Sequence, residues 1–259
     1  MLRIERVSKT YRSGPDTVVA VREVSLFLAR GDFLTIIGSN GAGKSTLLNL
    51  IAGVVPLTSG RIALDGDDVS AAPAHRRARR VSWIVQNPLA GTAPSMSVAE
   101  NLALAASRGT RTLRPALSRR LRHEIHRRLE ALGVGLEQRL DCRVALLSGG
   151  ERQALAVLMA TLARPEVLLL DEHTAALDPR NAALITQLTC DFVERLGLTV
   201  LMVTHNMAQA LEVGNRLVMM HRGEILYELA GEEKRTASVP QLIEFFAQRE
   251  VADDRLLLG

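Results

Sequence analysis

The sequence predicts an α/β protein whose mainly parallel sheet is covered by helices. Two observations carry that expectation. Short, unbroken apolar runs bounded by Gly, Asp or charged residues alternate with segments of helical spacing. Strands buried on both faces read as continuous apolar runs, whereas strands with one wet face alternate. The composition agrees: 259 residues, 47% hydrophobic and 23% charged, with 19 Gly and 9 Pro, suit one large domain with a substantial insertion. A collagen-like, disordered or coiled-coil chain is excluded.

Along the chain, strand-like runs fall at Leu2–Tyr11 and Val19–Leu28, then at Phe33–Ile37, which ends in Gly38. A helix is expected over Lys44–Ala52, a short strand over Arg61–Leu64 between Gly60 and Gly66, and a buried strand over Val81–Val85. The middle changes character. Val98–Ala106 and Ala116–Leu132 have helical spacing and are joined by a linker around Arg108–Pro115, so an all-helical insertion is placed at about Asn87–Leu146. Alternation then resumes. Gly150–Ala163 reads as a helix ended by Pro165, Val167–Leu170 as a fully apolar strand, and Asp178-Pro179 as the N-cap and first turn of the next helix. Leu198–Thr204 is the following strand, Arg216–His221 and Glu224–Leu229 form a hairpin turning at Arg222-Gly223, and a helix over Val239–Arg249 precedes a polar tail.

Composition also excludes function classes. Two cysteines, Cys142 and Cys190, make no disulfide framework and no CxxC zinc pair, which fits a cytosolic compartment. Apolar runs such as Ala154–Ala163 and Leu198–Val203 fall well below the roughly 20 residues a bilayer needs. The N-terminus alternates charged with apolar residues and lacks a signal-peptide core. Any membrane role is therefore expected to come through a partner. Charge is uneven: between His75 and Arg128 stand twelve Arg against two Glu, Glu100 and Glu124. Such a patch suits an anionic surface or a solvated helical face. Nucleic acid is not expected, because base stacking needs interleaved aromatics and this stretch offers only Trp83. His123 and His126 share a helix face, but a metal cation would be repelled by the surrounding Arg.

Ligands of parallel sheets bind at the carboxyl ends of the strands, and a phosphate-binding pattern sits at such an end. Gly38-Ser39-Asn40-Gly41-Ala42-Gly43-Lys44-Ser45 matches GxxxxGK[ST] between a strand and a helix. Its glycines let backbone N–H groups approach phosphate oxygens, and the helix N-terminus adds roughly half a positive charge. Lys44 is expected to reach the β- and γ-phosphates, Ser45 to coordinate Mg²⁺, and Thr46 to touch phosphate. A second motif, Val167-Leu168-Leu169-Leu170-Asp171-Glu172, delivers two carboxylates from the end of a buried strand. Asp171 suits the Mg²⁺ ligand of phosphate-loop NTPases, and Glu172 suits a general base for the attacking water.

The third motif, Leu147-Ser148-Gly149-Gly150-Glu151-Arg152-Gln153, resembles the signature of the ATP-binding cassette (ABC) ATPases. Further residues fall in that family's order. Tyr11 resembles the aromatic that stacks on adenine, Gln86 the glutamine that touches Mg²⁺ and the attacking water, Ala176-Leu177-Asp178 the D-loop, and His205 the switch histidine at the γ-phosphate. The resemblance covers about residues 2–230. It implies a phosphate-loop NTPase core, an N-terminal antiparallel β subdomain and a helical subdomain at about 87–146, all within an ATPase domain spanning 1–230; 231–259 is then a C-terminal helix and tail. It also implies a head-to-tail homodimer in which each ATP lies between Lys44 of one subunit and Ser148, Gly149, Gly150 and Glu151 of the other.

One departure stands out. His173 follows Glu172 where most of the family have Pro. It either tunes the neighbouring carboxylate or supports the loop. The segments Gln86–Ser95 and His173–Asp178 resemble an importer subgroup whose members work with a separate membrane permease and a solute-binding protein, some of them linked to amino acids such as tryptophan. The resemblance implies a peripheral protein on the cytoplasmic face of the inner membrane, meeting its permease near Gln86–Ser97. The nearest alternative is a soluble ABC ATPase of the Fe–S assembly or DNA/translation type, with no permease. An unrelated kinase or GTPase fits poorly, since no Asn-Lys-x-Asp guanine motif is present.

Overall fold

The structure, a computed structural model, describes residues 1–107, 117–130, 135–162 and 164–258; the expected linker around Arg108–Pro115 lies outside them. Among the described residues the strands form two sheets. Strands β1 (Leu2–Ser13), β2 (Asp16–Leu28), β4 (Ser59–Leu64) and β5 (Asp67–Asp68) build an antiparallel sheet in the order β2-β1-β4-β5. Between them in sequence runs β3 (Phe33–Gly38), the centre of the second sheet. That sheet adds β6 (Val81–Ile84), β7 (Val167–Asp171), β8 (Thr199–Val203), β9 (Arg216–His221) and β10 (Glu224–Ala230), in the order β10-β9-β3-β8-β7-β6. All its neighbours pair in parallel except the edge hairpin β9–β10.

The β1–β2 ribbon runs further than the apolar pattern does. Its register continues from Tyr11↔Val18 to Ser13↔Asp16, because backbone pairing carries exposed residues into the ladder that burial alone would leave out.

Unbroken apolar runs form central strands for the expected reason. In β7, Leu168 and Leu170 enter one hydrophobic cluster and Val167 and Leu169 the opposite one. Helix α1 (Lys44–Ala52) places Leu47, Leu48, Leu50 and Ile51 between the two sheets. On the other face lie α3 (Val98–Ala106), α5 (Gly149–Leu162) and α6 (Pro179–Leu196), with Leu102, Leu155 and Ile185 in one core. Helix α4 (Arg119–Glu130) lies within the expected Ala116–Leu132, whose ends at 116 and 131–132 fall outside the described residues; it docks through Ile125 and Leu129 and leaves Arg119, Arg120 and Arg127 exposed.

The basic stretch is divided by the fold. Arg77, on the short helix α2 (Ala74–Arg77), is buried and donates to the carbonyls of Leu50 (2.6 Å) and Ile51 (3.1 Å), so it closes the C-terminus of α1. The same guanidinium reaches Ala72 O and Ser70 O, both at 2.9 Å. Arg80 makes a two-pronged ion pair with Glu166 at 2.7 and 2.8 Å.

The C-terminal part departs most from expectation. After α7 (Met207–Glu212) and the hairpin comes α8 (Gly231–Thr236), which the sequence reading omits. Where a polar tail is expected, α9 runs from Val239 to Leu258. No Gly or Pro interrupts 241–258, so nothing stops the helix once it has started.

Candidate active site

The loop between β3 and α1 owes its path to two glycines. Gly43 has φ of 95°, and a Cβ there would lie 2.2 Å from the carbonyl oxygen of Ala20 on β2; one on Gly38 would lie 2.3 Å from that of Met220 on β9. The loop is thus pressed between both sheets, and Gly223 N–H donates to Ala42 O at 3.1 Å to seal the contact. Ser39, Asn40 and Gly41 form its exposed crest. Inside it lies Lys44, whose buried Nζ donates to the carbonyls of Gly38 (2.7 Å) and Ser39 (2.9 Å). Burial pulls the Lys44 ammonium below its usual range, and the carboxylates of Glu172 and Asp171 oppose that pull.

Ser45 opens the helix beside the second motif. Its Oγ donates to Asp171 Oδ1 at 3.2 Å, joining the ends of β3 and β7; Thr46 follows, half-buried. Desolvation lifts the Asp171 carboxyl above the normal carboxylate range; the Ser45 hydrogen bond opposes this, the Glu172 charge adds to it and Lys44 counters it. The donor set of a hydroxyl and a carboxylate, side by side at a phosphate loop, fits Mg²⁺, which takes hard oxygen ligands and completes its shell with water and phosphate oxygens.

Glu172 adopts a left-handed conformation with φ of 46°, which turns the chain sharply off β7 while its N–H bonds Val203 O at 3.0 Å. That turn faces the carboxylate toward the end of β8, where His205 Nδ1 lies 3.5 Å from Glu172 Oε2. Gln86 stands exposed just beyond β6 and lines one recess with Asp171 and Ala176. Residues from four strand ends therefore meet at one edge of the parallel sheet.

Two sequence-expected groups stand apart from that cluster. Tyr11 is on β1, 41% exposed, with Lys9 Nζ 4.9 Å above its ring centroid. It belongs to the ribbon whose other strand touches Gly43. Ser148 caps α5: Glu151 N–H donates to its Oγ (3.3 Å) while its own N–H donates to Glu151 Oε2 (2.7 Å), a reciprocal capping box. Burial pushes the Glu151 carboxyl up, but the Ser148 N–H and Arg139 hold it below its ordinary value. The neighbours of Gly149 and Gly150 are Leu177 and Asn181, at the D-loop and the start of α6. Asp178 caps that helix, accepting from Asn181 N–H at 3.1 Å.

Several supporting residues escape the sequence reading. Gln209 on α7 accepts from Thr204 Oγ1 (2.8 Å) and donates to Thr186 Oγ1 (2.9 Å) and Thr174 Oγ1 (3.4 Å), bracing the segments that carry His205 and Glu172. Asn101, buried on α3, accepts from Ala93 N–H (2.8 Å) and donates to the carbonyls of Ala93 (3.1 Å) and Ser97 (2.9 Å), which shapes the loop after Gln86. Only Asn206, as N-cap of α7, leaves a local sequence signal.

The sequence model of the ABC transporter family matches residues 21–175. The chain belongs to the ABC transporter family. This ABC ATPase is 41% identical over 249 residues to a tyrosine transport ATP-binding protein of Clostridioides difficile, covering 95% of this chain and 98% of that protein. It is 37% identical over 235 residues to the methionine import ATP-binding protein MetN of Chromohalobacter salexigens, covering 88% of this chain and 64% of the relative. With the spermidine/putrescine import ATP-binding protein PotA of Thermobifida fusca it shares 35% over 225 residues, 86% of this chain and 56% of the relative. It thus spans nearly all of the first relative and about three fifths of the other two.

Two solved cassettes superpose on it. The dimeric post-hydrolysis state of MJ0796 bound to ADP and Pi gives a TM-score of 0.75 at 29% identity, covering 89% of this chain and 98% of that one. The ADP conformation of MJ1267 gives 0.79 at 26%, covering 95% and 98%. The expected fold class holds, and the chain is an ATP-binding, ATP-hydrolysing subunit of the transporter family.

Proposed function

We propose that this ABC ATPase drives a solute importer, binding MgATP at a head-to-tail homodimer interface and coupling hydrolysis to movement through a separate membrane permease. The observation that carries the proposal is the meeting of Lys44, Ser45, Asp171, Glu172, Gln86 and His205 at the carboxyl ends of β3, β7, β6 and β8. Lys44 exchanges its loop carbonyls for the β- and γ-phosphates. Loop N–H groups from Gly38 to Thr46 hold the same phosphates, with Tyr11 against the adenine. Ser45 and Asp171, with Gln86, would hold Mg²⁺, which would supply charge neutralisation at the phosphates. Glu172 takes a proton from the attacking water, and His205, beside that carboxylate, donates to the γ-phosphate.

The dimer is favoured by where Ser148 lies. Ser148 is exposed and bonds Glu151 within the chain, while Gly149 and Gly150 neighbour Leu177 and Asn181, so the start of α5, Ser148 to Glu151, faces outward where another subunit's nucleotide can approach. The permease is placed on a recess of about 380 Å³ beyond Gln86, lined by Trp83, Ala90, Asn101, Leu104, Ala156 and Met159, with Leu104 exposed. Among the described residues no helix is long and apolar enough to cross a membrane, which supports a peripheral place on the cytoplasmic face. The tyrosine and methionine systems among the relatives favour an amino acid as solute, delivered by a solute-binding protein. We read residues 1–230 as the ATPase domain, with its helical subdomain at about 87–146, and 231–259 as an appendage to it.

The test is a pull-down of tagged Glu172→Gln protein from detergent-solubilised native membranes with ATP present. A polytopic permease recovered in stoichiometric amount supports the importer reading. Recovery of the soluble protein alone sinks it.

A further inference from the structure

His173 is 2% exposed and lines a small recess of about 200 Å³ with Gln86, Asn87, Gly149, Arg152 and Gln153. Three buried polar atoms on these residues have no hydrogen-bond partner in the protein: His173 Nδ1, Arg152 Nε and Gln153 Nε2. Leaving such groups unpaired destabilises the fold, and buried groups of this kind are ordinarily completed by ordered water.

The hydrogen-bond directions say what fits. Thr189 commits its hydroxyl hydrogen to Ile185 O at 2.7 Å, so toward His173 Nε2, 3.4 Å away, it presents an acceptor. The hydrogen of the ring therefore sits on Nε2. A buried imidazole whose ring partner is a hydroxyl stays neutral, so Nδ1 carries a bare lone pair. Arg152 Nε and Gln153 Nε2 are donors. An anion would satisfy the two donors but meet a lone pair at Nδ1. A water donates to one and accepts from the others.

We propose that His173 is a positioning residue: a buried water donates to its Nδ1 and accepts from Arg152 Nε and Gln153 Nε2, tying the turn after Glu172 to the first turn of α5. The recess has room for further waters and reaches the segment carrying Gln86. The tie links Glu172, at a subunit's own nucleotide, with Ser148-Gly149-Gly150, which the dimer reading places on the partner's. It carries the state of one nucleotide to the base at the other. The catalytic part of this inference rests on that reading.

The test separates the two ring nitrogens. An asparagine side chain reaches only as far as Nδ1, whereas a glutamine reaches Nε2. Nitrogen-15 NMR of the full-length protein labelled at histidine should show His173 as the neutral Nε2–H tautomer; an Nδ1–H tautomer overturns the proposal. His173→Asn should keep kcat within about twofold of the parent and His173→Gln should lose about tenfold, one hydrogen bond's worth, with ATP affinity unchanged in both. The reverse order, or equal effects, overturns the proposal, because the contact to Thr189 would then be what matters. Should the parent hydrolyse no ATP, the functional reading fails separately. The tautomer and the melting temperatures, expected higher for His173→Asn than for His173→Gln, still decide the inference.

Discussion

At the scale of single residues, the site mixes groups that the fold favours with groups it strains. Asp171 is of the second kind. Its carboxyl titrates above the ordinary range because it is partly desolvated and next to Glu172. A carboxyl raised in this way weakens the fold above its folded pKa, and that cost is relieved as pH falls through it. Asp171→Asn should therefore melt at a higher temperature than the parent at neutral pH, while losing Mg²⁺-dependent nucleotide binding. A lower melting temperature in differential scanning calorimetry would show that the carboxylate stabilises the fold. Lys44→Ala should lose ATP affinity, and an unchanged Kd by calorimetric titration removes the phosphate role from this residue. The phosphate loop, Asp171, Glu172 and His205 are legible in sequence because each motif is local: strand, turn chemistry and helix start follow one another. Gln209 is not legible, since it bonds hydroxyls of Thr174 and Thr186 on other segments, and Asn101 is not, since its partners Ala93 and Ser97 lie in an irregular loop that has no period.

At the scale of elements, two buried cations close chain ends that a sequence reading leaves open. Arg77 lies in a basic run, yet it is spent on the last carbonyls of α1, the helix that starts at the phosphate loop. Arg77→Ala should destabilise the chain by about 3 kcal/mol, since buried carbonyls then lose their donors; a loss under about 1 kcal/mol in urea unfolding would contradict this. Lys234 on α8 does the same for the chain after α7, donating to Val213 O and, at 2.9 Å, to Gly214 O. Burial lowers its pKa to about 8. The unfolded chain, with an ordinary lysine near 10.5, then binds more protons than the folded one between these values, so stability rises with pH across that window. The stability difference between the parent and Lys234→Met should shift toward the parent from pH 8 to 10.5. A difference flat in pH would place the lysine outside the core.

At the scale of the whole molecule, the parallel sheet collects its strand ends on one edge, and the helical layer of α3, α4 and α5 carries two separate surfaces. One is the apolar recess with Leu104 at its rim. Leu104→Arg should abolish co-purification of the permease while leaving nucleotide affinity at the parent's value; retained co-purification would move the docking surface elsewhere. The other is the N-terminus of α5 with exposed Ser148. Glu172→Gln with ATP should accumulate a dimer by size-exclusion chromatography with light scattering, and a persistent monomer at saturating ATP would remove the head-to-tail arrangement.

The sequence by itself determined the alternation of buried strands and helices, the phosphate loop, the acidic pair and the signature that together identify the family. Each is written in residues that act through their own backbone or their nearest neighbours in the chain. Tertiary structure decided the rest. It fused the apolar run of β7 to two different cores, turned Glu172 toward His205 through one left-handed residue, and made Arg77 and Lys234 internal caps. It also buried His173 against Thr189. These outcomes depend on groups brought together from distant parts of the chain, where hydrogen-bond satisfaction and desolvation are set by packing, and neither leaves a period in the sequence.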